Sequence, residues 1–230
     1  MNFIGLDISK ISTAMVIETN GKDYIFSYNT LKKKEKWNQS ISGIINSKSY
    51  VYDKLEDYSE SEISKLSVFI IIAKDLINDI ISVINKDEDT IINIEGFSYS
   101  SAQGPLIDLV SIASIIRAKL IENIPNIKNI KIVSPKSLKL NVCEMVYGKT
   151  ENVNKKGVKS VTVNNDSEGK SGGNFDKFDM FKALTKYTRN SELKDYCLEK
   201  YDEIIKLSKI PKPLEDINDA YWLKENSKNI

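Results

Sequence analysis

The chain has 230 residues, 33 Lys/Arg against 32 Asp/Glu for a net charge of +1, and 41 % hydrophobic residues, enough to fill a core. It contains no histidine and only two cysteines, Cys143 and Cys197. That excludes a histidine general base, Ser-His and Cys-His nucleophile pairs, most zinc sites and a disulfide framework, and leaves chemistry to carboxylates, lysines, hydroxyls or a bound metal.

Taken in chain order, residues 3–8 read as a strand with Ile4, Leu6 and Ile8 on one face. Residues 12–18 and 24–28 read as two more strands, joined by a turn at Asn20-Gly21, so the chain opens with an antiparallel meander. Residues 31–60 are polar, carry the basic cluster Lys32, Lys33, Lys34 and Lys36, and read as a loop or irregular insertion. A long core helix is expected over 61–85 from Ile63, Leu66, Ile70, Ala73, Ile77, Ile81 and Ile84, with Ser59 and Glu62 as a capping box. Residues 90–95 read as a buried strand, 105–123 as a helix and 128–134 as a further strand. Ser134 caps a third helix with Pro135 at its first position, running to about Tyr147.

Residues 149–175 are rich in Gly, Asn and Lys without periodicity and read as a mobile loop. Helical patterns return at 175–187 and 193–207, and a last helix starts near Leu214, after Pro211 and Pro213. The expected fold class is α/β: a mixed sheet, antiparallel at first and parallel after the first crossover, flanked by helices in a single domain over 1–230.

No basic leader precedes the first strand, and the longest apolar run, near residues 68–73, is too short to span a bilayer. The expectation is a protein that is cytoplasmic, with no membrane association. Charge is unevenly spread: residues 128–189 hold thirteen Lys/Arg and six Asp/Glu. Such a basic region suits a phosphate-backbone substrate, and equally a lysine-rich stretch of self-repelling loops.

Four acids stand out. Asp7 sits in an otherwise apolar strand, pointing away from Ile4, Leu6 and Ile8; it is either a solvent-facing strand-end residue or a paired or cation-bound carboxylate. Glu95 ends the apolar run 91–94 and precedes Gly96, where α/β proteins place sites and where ordinary strand-end residues also lie. Asp216 and Asp219 are three apart on the last helix, hence on one face, where their repulsion needs a shared cation to become attraction. Asp216 also suits the helix N-terminus as a dipole partner. Together they describe an all-oxygen site for a hard cation. Two Mg²⁺ ions about 4 Å apart would there activate a water and stabilise a leaving oxygen in phosphodiester hydrolysis.

Four ordered segments resemble the RuvC-type Holliday junction resolvases of the ribonuclease H-like superfamily. They are Phe3-Ile4-Gly5-Leu6-Asp7, Ile94-Glu95-Gly96, Ser134-Pro135 with Lys136 and Lys139, and Asp216-Ile217-Asn218-Asp219-Ala220. The resemblance covers most of the chain outside about 29–60 and 149–210. It implies a five-stranded ribonuclease H-like sheet and a catalytic, metal-binding set of Asp7, Glu95, Asp216 and Asp219. It further implies Mg²⁺, with Mn²⁺ able to substitute, and a homodimer that cleaves branched DNA at four-way junctions. Phe97 or Tyr99 would contact bases near the exchange point, and Lys136 and Lys139 would contact phosphates; each is equally a rim, core or solvated residue. The resemblance extends to phages and large DNA viruses, which would place the protein in a host cytoplasm.

Insertions at 31–60 and 149–210 separate the chain from a minimal resolvase, so junction specificity transfers less safely than the chemistry. Flap-type or nonspecific cleavage on the same fold, and a DNA-binding module without chemistry, are the alternatives. An actin-like or sugar-kinase ATPase, suggested by Gly5-Leu6-Asp7-Ile8, lacks the Gly- and Thr-rich phosphate turn, since Ser9-Lys10-Ile11-Ser12 follows.

Overall fold

The computed structural model describes residues 1–30, 40–53, 55–97, 103–153 and 159–229. The basic cluster at Lys32, Lys33, Lys34 and Lys36, and the candidate Tyr99, lie outside the described residues.

Strands β1 (Asn2–Asp7), β2 (Ser12–Thr19) and β3 (Lys22–Asn29) form the expected meander. Its tight turn is Asn20-Gly21, both at positive φ (51° and 74°), the geometry that matches the twist of a two-residue hairpin. Strand β4 (Asn46–Ser49) adds to β3 in parallel, and helix α1 (Tyr58–Val83) follows. Strand β5 (Thr90–Glu95) pairs with β1 in parallel; helix α2 (Gln103–Asn123) leads to β6 (Ile127–Val133), parallel to β5. Helix α3 (Pro135–Tyr147) comes next, then a hairpin of β7 (Lys149–Val153) and β8 (Lys159–Val163). The chain closes with α4 (Lys177–Lys186), α5 (Glu192–Glu199), the short α6 (Tyr201–Ile204) and α7 (Leu214–Asn226).

The main sheet has the order β4-β3-β2-β1-β5-β6. This is the expected mixed sheet, antiparallel then parallel, with one strand more than the five expected. The extra strand corrects the reading of 31–60 as loop throughout. Asn46-Ser47-Lys48-Ser49 has no apolar alternation, and it becomes a strand by satisfying the free edge of β3. A second correction concerns 149–175, where two five-residue strands stand in place of the loop. Nearly every residue of that ribbon is exposed, so the period-2 signal of a half-buried strand never arises. The cap of α1 is Asp57, accepting from the Glu60 N–H at 2.9 Å, in place of the Ser59 capping box. The helix expected over 193–207 is broken into α5 and α6 at Lys200. Ser134 caps α3 as expected, accepting from the Ser137 N–H at 3.1 Å.

The sheet separates two apolar layers. Ile4, Leu6, Met15, Ile17, Ile92 and Ile94 pack with α1 and α2 on one face. Ala14 and Val16 face the other way, into a layer built from α3, α4, α5 and α7. Period-2 alternation therefore assigns Gly5 and Asp7, like Asn93 and Glu95, to the α7 side.

Helix α7 is buried on every side, from Asp216 through Asn226. Two features seat it against the sheet. A Cβ on Gly5 would lie 2.0 Å from the Ala220 carbonyl oxygen and 2.3 Å from the Lys224 nitrogen, so backbone meets backbone there. The Asn93 amide on β5 donates to the Leu223 carbonyl at 3.1 Å. At its far end, fully buried Lys224 is neutralised by Glu225, by Asp23 at 3.0 Å and by Glu18 at 3.3 Å, with Arg189 joining the same acids. A buried lysine without these partners would cost several kcal/mol.

Gly5→Ala is accordingly expected to push α7 off β1. The loss is about 1–3 kcal/mol or more, read as a fall of roughly 2–4 °C in Tm per kcal/mol by circular dichroism. An unchanged Tm would mean that the helix does not need this contact.

Candidate active site

Asp7 ends β1 and Glu95 ends β5, on adjacent parallel strands, each one residue beyond the paired positions Leu6 and Ile94. Helix α7 crosses this end of the sheet with its first turns. Carboxylate oxygens of Asp7, Glu95 and Asp219 all lie within 4.8 Å of one another. Asp216 is one turn earlier on α7 and lines the same cleft without joining that group of three. Its carboxylate is 2 % exposed; Oδ1 pairs with Lys212, four residues before it, and Oδ2 has no hydrogen-bond partner.

The cleft has a volume of about 330 Å³, and Phe97, Lys139, Lys177, Lys212 and Glu215 line it together with the four acids. Phe97 holds the Arg117 guanidinium 4.8 Å from its ring centre, so the ring already has a cation over it. Lys139 lines the cleft, whereas Lys136, three residues before it on α3, is exposed beside Gly173.

The electrostatics follow from burial. Burial, then the charges of Glu95 and Asp219, pushes the Asp7 carboxyl well above the usual carboxylate range. Burial and the Asp219 charge raise Glu95, and burial with the Asp7 charge raises Asp216 well above its ordinary value despite Lys212. Burial raises Asp219 as well, against the pull of Lys177. Four carboxyls that all resist ionisation at one end of a sheet make a site that favours a cation. The donor set, all hard oxygen, suits Mg²⁺, Mn²⁺ or Ca²⁺ and gives no soft ligand. The partnerless, buried Oδ2 of Asp216 is an additional vacant oxygen donor in the same cleft.

Lys177, Lys212 and Glu215 are cleft residues that the sequence reading does not assign to the site; Glu215 suits only the helix N-terminus there, beside Asp216. Lys212 had a local signal, since it precedes Asp216 by four residues. Lys177 had none: it is 42 residues from Asp219, and the fold alone brings them together.

No family model and no curated protein sequence matches the chain. The solved structures it is similar to include RuvC and a Holliday junction resolvase. RuvC of Thermus thermophilus in complex with a Holliday junction substrate is 6 % identical, with a TM-score of 0.45, over 97 % of this chain and 90 % of that one. A further Thermus thermophilus RuvC structure is 8 % identical, with a TM-score of 0.42, over 97 % and 92 %. The yeast mitochondrial Holliday junction resolvase is 14 % identical, with a TM-score of 0.43, over 96 % and 75 %. With each TM-score below 0.5, these likenesses say nothing about activity, and the chemistry has to come from the site's own residues. Among the described residues, no helix is long and apolar enough to cross a membrane.

Proposed function

We propose that the chain is a divalent-metal-dependent endonuclease that hydrolyses phosphodiester bonds in branched DNA, with four-way junctions as its substrate. The observation that carries this reading is the convergence of Asp7, Glu95 and Asp219 within 4.8 Å at the floor of a cleft edged with lysines. Asp7, Glu95 and Asp219 would hold the metal, with Asp216 as the fourth acid through its free Oδ2. When bound, Mg²⁺ ions supply activation of the attacking water and charge stabilisation of the leaving oxygen. The protein's own part is to fix the carboxylates: strand ends and a fully buried helix set their positions, with little freedom to reorganise. Lys139 on the cleft wall would take a DNA phosphate, and Phe97 a base if Arg117 moves from its face.

Junction preference is supported by the ordered motif set from Phe3-Ile4-Gly5-Leu6-Asp7 to Asp216-Ile217-Asn218-Asp219-Ala220. The test is Mg²⁺-dependent cleavage of a synthetic four-way junction beside duplex and flap controls of equal length. Faster nicking of the junction, at symmetric positions on two strands, is expected. Equal cleavage of all three would favour a nuclease of other specificity.

Symmetric nicking calls for two copies. Helix α2 leaves a line of small and apolar side chains uncovered: Ile107 (66 % exposed), Val110, Ser114, Ala118 and Ile121 (69 % exposed). Their spacing of three and four residues keeps them on one helix face. The small residues in the middle allow a second α2 to approach closely across a two-fold axis. Replacing Ile107 and Ile121 with Glu is expected to convert a dimer into a monomer in light scattering after size exclusion. A wild-type monomer, or a variant that remains dimeric, removes α2 as the interface.

A further inference from the structure

We propose that Lys177 is a built-in counter-cation for the carboxylate cluster, one that a divalent ion has to displace from Asp219 in order to bind. This inference rests on the metal-site reading above. Lys177 opens α4, whose N-terminus is fixed by a reciprocal capping box between Asp176 and Asp179. The helix is tied to α7 by the Trp222 indole, which donates to the Met180 carbonyl at 3.2 Å. Lys177 thus reaches the cleft from a segment remote in sequence, between the hairpin and Pro211, and its ammonium pairs with Asp219 Oδ2 and lies 3.4 Å from Glu215. Asp219 is 1 % exposed, so the acid of this pair is buried while the lysine stem runs out toward solvent.

Lys212 acts in the same way at Asp216 and lies 3.6 Å from Glu215. Among the described residues, three lysines, Lys139, Lys177 and Lys212, line the cleft with five acids, and only Lys177 and Lys212 pair with them, too few to neutralise them. A lysine is suited to exchange: it is a compact single charge on a flexible stem, and this side chain is 41 % exposed, so it has solvent to move into. A divalent ion brings twice the charge to the same oxygens. Lys177 then has two effects of opposite sign: it stabilises the metal-free fold and it lowers the affinity for metal.

The test is Mn²⁺ binding by isothermal titration calorimetry, with Tm in EDTA and in Mn²⁺, for the wild type, K177M, K177R and K74Q. K177M is expected to bind Mn²⁺ at least about tenfold more tightly, because the ion then has no pairing with buried Asp219 to break. It is also expected to melt lower in EDTA and to gain more from metal than the wild type. K177R keeps the charge and should bind Mn²⁺ no more tightly than the wild type. K74Q removes an exposed charge on α1, across the sheet from the cleft, and should change affinity by less than about twofold. Folding of K177M only when Mn²⁺ is present would support the exchange, and K177Q would then be titrated in its place. If neither lysine variant folds even with Mn²⁺, the metal does not replace Lys177 and the inference fails. If the wild type binds Mn²⁺ and K177M binds equally or more weakly, the inference fails while the metal site stands. If no protein binds Mn²⁺, the metal-site reading fails and takes the inference with it.

Discussion

Asp7→Asn is expected to lower Mg²⁺-dependent junction cleavage by about three orders of magnitude, equivalent to roughly 4 kcal/mol of lost transition-state stabilisation. The side chain is isosteric, so the packing of β1 against α7 at Gly5 and Ala220 is left alone. What changes is one charge among three carboxylates whose oxygens lie within 4.8 Å. An amide oxygen is a poorer donor to a hard cation, and it removes a negative charge where the site needs it. Asp219→Asn should behave alike. Asp216→Asn should cost less, because Asp216 stands outside the group of three and is partly neutralised by Lys212. Single-turnover cleavage at saturating Mg²⁺ measures all three. Cleavage by the Asp7 variant within tenfold of the wild type would place the chemistry elsewhere.

Metal and pH should together control stability. Asp7, Glu95, Asp216 and Asp219 all have carboxyl groups raised above their ordinary values, burial being the first cause in each. An acid whose folded pKa exceeds its unfolded one binds protons on folding. Its contribution is fully present below the unfolded value and is lost as pH rises through the folded value. Glu18, Asp108, Asp176 and Glu225 are lowered, so what they contribute is present above the ordinary range and lost in acid. In EDTA the four cleft acids should therefore lower Tm as pH rises above the ordinary carboxylate range, where the surface and network acids are already ionised.

A divalent ion reverses the penalty. At a hundred times its dissociation constant it adds about 2.7 kcal/mol, a rise of roughly 5–10 °C at about 2–4 °C per kcal/mol. The rise should be larger at the alkaline end. In the Asp7→Asn variant, Tm in EDTA should be higher than that of the wild type and should fall less with pH, and most of the metal-induced rise should vanish. Differential scanning calorimetry across the pH range, with and without Mg²⁺, decides it. A metal-induced rise that is the same at every pH would show that ionisation of the cleft acids is not what the ion relieves.

Much of the architecture was legible without coordinates. Ile4, Leu6 and Ile8 alternate because one face of β1 is buried, and that same alternation turned Asp7 to the opposite face, where α7 now lies. Asn20-Gly21 marked its hairpin because few other pairs accept two positive φ angles, and Ser134-Pro135 marked the start of α3 because a hydroxyl cap and a missing N–H both suit that position. Strand β4 and the β7-β8 ribbon were not legible. Asn46–Ser49 has no intrinsic reason to extend except the open edge of β3, and the ribbon buries neither face, so no pattern is selected in either stretch.

The four acids show the same division. By itself the sequence determined which carboxylates were out of place: two at the ends of apolar strands and two on one face of a helix, in a chain without histidine to share the work. Only the tertiary structure decided that three of them converge, because that depends on α7 being seated on β1 through a glycine with no room for a side chain. It also separated Asp216 from the three, and it brought Lys177 to Asp219 across 42 residues of chain. Periodicity and capping act over a few residues and are written locally. A charge cluster is set by the packing of elements far apart in the chain, and no local rule records which lysine will end up facing which acid.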